Sequence, residues 1–115
     1  MSVEDKIIIL LKELVSEIVS GNYTKISKCG WLGNFTEDDL LYIFNQGYSG
    51  KVTLPPNNAF SNIRFYKYDD NSGYSIEFNL WFDNRVSDLT LSCNVEVDFG
   101  SEQIKKFEIE EIEVL

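Results

Sequence analysis

Histidine does not occur in this chain of 115 residues. Its absence removes the side chain most used as a general base near neutral pH and as a metal ligand. Cysteine is scarce as well: Cys29 and Cys93 stand far apart. Two isolated thiols without histidine fall short of the four ligands of a structural zinc site, unless carboxylates or a second chain contribute. No Gly-x-Ser-x-Gly elbow, Walker loop or dinucleotide fingerprint is present. Long apolar runs are missing too. The longest, Ile7 to Leu11, has five residues, far below the roughly 20 that span a bilayer. The opening Met-Ser-Val-Glu-Asp lacks the basic region and cleavage site of a secretory leader. The expectation is a cytoplasmic, non-enzymatic chain without metal or cofactor, its two thiols reduced and structural.

Positive charge is the next shortage. Ten Lys and Arg face nineteen Asp and Glu, for a net charge of -9. The imbalance is uneven: from Asn58 onward there are twelve acids against five bases, and before it seven against five. A surface of one sign steers oppositely charged partners and repels nucleic acid and anionic membranes. A basic protein partner is therefore expected, with no nucleic acid and no membrane.

What is present reads as one globular domain. Ile7, Leu10, Leu11, Leu14, Val15, Ile18 and Val19 recur at helical spacing, predicting a helix from Val3 to Ser20 with Ser2 as N-cap and Gly21-Asn22 as stop. Ile9 falls nearer the polar side, where it could meet another chain. A second helix is predicted from Glu37 to Gln46, with Thr36 and Asp39 in capping-box positions. Lys28 to Phe35 reads as a folded loop. Everything afterwards alternates with period two: Lys51 to Leu54, Asn62 to Tyr68, Tyr74 to Phe82, Leu89 to Phe99 and Gln103 to Val114, the last slipping at Glu110-Glu111 as at a bulge. Asp69 to Gly73 reads as a hairpin turn, since its spacing does not fit a calcium loop. Helices first and a meander after them predict an α+β domain. Its two N-terminal helices should cover a curved antiparallel sheet of four to five strands, like a cystatin or a nuclear-transport-factor-type (NTF2-like) cone.

Residues two apart on a strand share a face at roughly 6–7 Å spacing. Glu77, Glu96, Asp98, Glu108 and Glu110 should then line the outward face, with Trp81, Tyr66 and Tyr68 beside them. Rings embedded in acid suit a protein interface, where aromatic anchors hold and charge sets the encounter rate. The plainer reading is a sheet face charged for solubility. Paired carboxylates doing acid–base work would require one of them, such as Glu77 or Glu111, in an apolar pocket, and nothing in the pattern demands it.

Three segments together resemble a family of small bacterial domains without an assigned activity: Leu54-Pro55-Pro56-Asn57-Asn58-Ala59-Phe60, Leu80-Trp81 and Ser87-Asp88-Leu89-Thr90-Leu91. Separately, size, acidity and architecture resemble immunity proteins of contact-dependent inhibition and related toxin systems. That resemblance implies a cytoplasmic inhibitor neutralising a cognate basic toxin domain, often a nuclease, by covering its active site. It carries over no individual residue. The alternative is a small-molecule-binding or enzymatic domain using a pocket between helices and sheet, with Tyr42, Tyr48 or Tyr74 beside a carboxylate. A monomer or weak homodimer is expected, pairing if at all through Ile9 or the sheet face.

Overall fold

The computed structural model describes residues 1–115. Helix α1 runs from Val3 to Ser20, its first turn capped by the Ser2 hydroxyl, which accepts from the Asp5 N–H at 3.0 Å. Gly21 stops it in the left-handed conformation. A helix of one and a half turns, α2 (Tyr23–Lys28), follows. Helix α3 (Glu37–Tyr42) opens with the reciprocal Thr36–Asp39 capping box and runs on as a π-helical turn, Ile43–Gly47. The strands are β1 (Val52–Thr53), β2 (Arg64–Lys67), β3 (Gly73–Phe82), β4 (Arg85–Asp98) and β5 (Gln103–Val114).

All pairings are antiparallel. Strands β1 and β2 share one edge of β3, separated by the 3-10 turn Asn57–Asn62; β4 and then β5 complete the sheet on the other side. The expected α+β architecture is thus observed, with helices packed on an open five-stranded antiparallel sheet. No helix is long and apolar enough to cross a membrane.

The alternating strand residues explain the core. Ile76, Leu80, Leu91, Cys93 and Val95 point inward and are fully buried with Ile7, Leu11, Leu14 and Ile18 of α1, in one cluster of 27 residues. Three register shifts bend the sheet over this core, at Ser87–Leu89 opposite Leu80, at Lys105, and at Glu110. The slip expected at Glu110-Glu111 is one of them.

Local differences from the sequence expectation have physical causes. The Gly21-Asn22 stop ends α1, but Tyr23 and Ile26 are apolar enough to dock one more helical turn into the core. Strand β4 begins at Arg85 rather than Leu89, because Asp83 and Asn84 both take left-handed φ (51° and 62°) and close a tight two-residue hairpin. Cys93 is buried and free as expected. Cys29 is also free but exposed at the end of α2, so it is no part of the core.

The loop after α2 is tied to the sheet. The Trp31 carbonyl accepts from the Ile109 N–H at 2.8 Å, and the Trp31 ring meets Phe107 edge-on at 5.5 Å. Gly33, at φ 60°, sits so close to the Ile109 carbonyl that a Cβ would lie 2.1 Å from its oxygen.

Candidate functional site: the outward face of the sheet

With the helices on one side, the other side of the sheet faces solvent, and the register fixes its rows. Arg64 stands opposite Glu77, Glu77 opposite Ser92, and Ser92 opposite Glu111. The next row is Tyr66, Ser75, Asn94 and Glu108, and Glu96 faces Lys106 one row further. Tyr68 lies beside this set, its hydroxyl donating to Asn94 Oδ1 at 2.7 Å. The fold therefore brings Glu77, Glu96, Glu108, Tyr66 and Tyr68 onto one surface, with Glu110 at its margin.

Two expected members stand apart. Asp98 closes the β4–β5 turn, where its carboxylate accepts from the N–H groups of Gly100 (3.0 Å) and Ser101 (3.4 Å). Hydrogen bonding by Ser101 holds its pKa below the usual range, so the side chain is committed to the turn. Trp81 lies at the opposite end, paired with Val86 across the hairpin. It is eight residues along β3 from Gly73, about 26 Å at roughly 3.3 Å per residue. There a cleft of about 250 Å³ opens between Trp81, Val86, Asn79, Asn62 and Ala59.

The acids on this face are partly neutralised from within. Arg64 Nε lies 3.2 Å from Glu77 Oε1, and Arg64 Nη1 donates to Asn79 Oδ1 at 2.9 Å. Lys106 Nζ sits between Glu96 (3.8 Å) and Glu108 (3.6 Å). Asn94 Nδ2 donates to Glu108 Oε1 at 3.4 Å. Burial, then the negative charge of Glu110, pushes the Tyr68 pKa up, keeping its hydroxyl protonated as a donor. Between these long side chains lies a floor of small ones: Thr90 is 1 % exposed and Ser92 7 %. The surface is a shallow polar trough with acidic walls and a protruding ring, Tyr66, at 51 % exposure.

Sequence alternation missed Arg64 and Lys106 as members of this surface. Arg64 shares the parity of Tyr66 and Tyr68, which was the available signal; that it pairs with Glu77 follows only from the β2–β3 register. The tyrosines of the alternative ligand reading are dispersed. Tyr42 is exposed, Tyr48 bonds Asp88, and Tyr74 bonds Glu4. The space between α1 and the sheet is filled by core side chains, and the clefts of the molecule lie around its periphery.

No curated protein and no solved structure matches the chain. A family model matches residues 15–115, and by that coverage the chain belongs to the family described as Domain of unknown function (DUF7668).

Proposed function

We propose that this domain is a non-catalytic inhibitor that binds a cationic protein, as an immunity protein binds its cognate toxin in the cytoplasm. A nuclease is the toxin class whose basic substrate cleft best complements it. The observation that carries this reading is the bare outward sheet face, with its acidic walls, Tyr66 exposed, and a cleft beside Trp81. Glu77, Glu96, Glu108 and Glu110 would set the approach of the partner, while Trp81, Tyr66 and Tyr68 would bury area on contact. The net charge of -9 favours such an encounter and disfavours nucleic acid or an anionic bilayer as partner.

The test is capture of partners by the tagged chain from its native lysate, washed at low and then high salt. The expected eluate is one basic protein whose enzymatic activity is lost at an equimolar ratio of this chain. In stopped-flow mixing, added salt should slow association more than it speeds dissociation. A captured protein whose activity is unchanged by the chain would overturn the inhibitor reading.

A further inference from the structure

Strand β5 forms the last edge of the sheet and pairs only with β4. Its edge is covered at one point, where Ile109 donates to the Trp31 carbonyl and Gly33 packs on the Ile109 oxygen. That bond shows that the Ile109 backbone points away from β4. The bulge follows at once, since Cys93 faces Ile109 while Ser92 faces Glu111. Glu111 then points its backbone at Ser92, and alternation turns the N–H and C=O of Ile112 and Val114 outward. Neither has a backbone partner on that side.

A groove of about 470 Å³ between α3 and β5 opens where this stretch begins, at Glu110 and Glu111. Phe35 and Ile43 form its apolar part, Tyr42 stands at its rim with 61 % exposure, and Asn34, Asp39, Glu110 and Glu111 complete it. The charge here differs from that of the trough. Asn34–Gln46 and Phe107–Leu115 contain seven acids and no Lys or Arg. Asp39, Glu110, Glu111 and Glu113 make no ion pair, whereas Glu77, Glu96 and Glu108 each do.

We infer that the β5 edge from Glu110 to Val114, with the groove beside α3, takes an extended basic segment of a protein partner as an added strand. The occupant follows from the two sides of the edge. Next to Glu111 and Glu113 the added strand meets uncompensated acid; next to Ile112, Phe35 and Ile43 it meets apolar surface. An alternation of Lys or Arg with Val or Ile satisfies both. A second copy of this chain would instead set its own Glu111 and Glu113 against these, and like charges across a strand pair repel. The inference rests on the cationic-partner reading only for the sign of the partner's charge, and it is tested without that partner.

The probe is a capped Lys-Val-Lys-Val-Lys-Val peptide titrated into the ¹⁵N-labelled full chain. Shifts are expected at Tyr42 and from Glu110 to Leu115, with the Ile112 and Val114 amides exchanging more slowly by about tenfold or more when saturated. Val114→Pro removes an N–H that β4 does not use. It should weaken the peptide about tenfold or more and leave the unfolding midpoint in place. Glu111→Gln with Glu113→Gln should weaken it similarly and flatten its salt dependence. Equal affinity for parent and Val114→Pro would overturn the inference. So would shifts confined to Glu77, Glu96 and Trp81, or a peptide-free dimer by translational diffusion. Should Val114→Pro fail to fold, amide exchange in the parent decides. Loss of peptide binding alongside successful capture of a basic inhibited enzyme would leave the outward face as the interface and remove the edge.

Discussion

The Tyr74 hydroxyl donates to Glu4 Oε1 at 2.6 Å, joining the first turn of α1 to the start of β3 across 70 residues of sequence. Tyr74 is buried among Phe65 and Phe99, with ring centroids at 5.6 and 5.8 Å. Burial, then the Glu4 hydrogen bond, pushes its pKa to about 12, while the same bond holds Glu4 below the usual carboxylate range.

Both shifts make this contact pH-dependent, with opposite signs. The tyrosine is raised, so its contribution is complete below about pH 10 and lost as pH climbs through about 12. Glu4 is lowered, so its contribution is complete above the ordinary value of 4.5 and fades as pH falls through the depressed one. Tyr74→Phe should cost about 1 kcal/mol at neutral pH, read by urea unfolding. It should also lose less stability than the parent between pH 10 and 11. An unchanged alkaline slope would remove Tyr74 as its source.

Gly33→Ala should destabilise by about 2 kcal/mol or more, since the residue must keep a left-handed φ and its Cβ would strike the Ile109 carbonyl. Thermal unfolding reads the loss. Amide exchange at Ile109, whose N–H bonds Trp31, should accelerate more than exchange in β3. Uniform acceleration would mean that the loop is no separate tie.

The two thiols should react in two phases. Cys29 is exposed, whereas burial pushes the Cys93 thiol up and leaves it without thiolate. Labelling the native chain with a disulfide reagent should release one equivalent quickly and the second only on unfolding. Two fast equivalents would contradict the burial of Cys93.

Lys106→Met should leave stability within about 0.5 kcal/mol, because its ion pairs to Glu96 and Glu108 are half-exposed. It should speed association with a cationic partner, since two carboxylates lose their internal cation. Trp81→Ala should act on the other rate and speed dissociation, by about 2 kcal/mol if the ring is an anchor. Slower association in Lys106→Met would show that the trough is not what steers.

Local pattern and long-range register contributed differently to what could be read beforehand. Helix α1 was legible to its ends because Ser2 and Gly21 bracket a strong apolar stripe. The Glu110-Glu111 bulge was legible because two acids in succession break an otherwise regular alternation. Helix α2 was not, since six residues with Tyr23 and Ile26 carry too little periodicity. The site was half legible. Parity placed Glu77, Glu96, Glu108, Tyr66 and Tyr68 on one face, but a count of charges cannot show that Arg64 and Lys106 cross to meet them. Those pairings depend on which strands are neighbours, and β2 and β1 sharing one edge of β3 is a tertiary fact. Glu110, Glu111 and Glu113, which have no cation beside them, lie at the β5 end of that face rather than at its centre.

That shared edge limits how copies of this molecule could ever join. On the β3 side the rim is broken into β1, a 3-10 turn and β2, with Pro55 and Pro56 supplying no N–H between them. Only the β5 side offers a stretch that another strand could extend. A fibre needs two edges per molecule, each able to template the next. With one usable edge, any sheet-to-sheet union of folded chains terminates at a pair, and a growing filament requires that the domain first come apart.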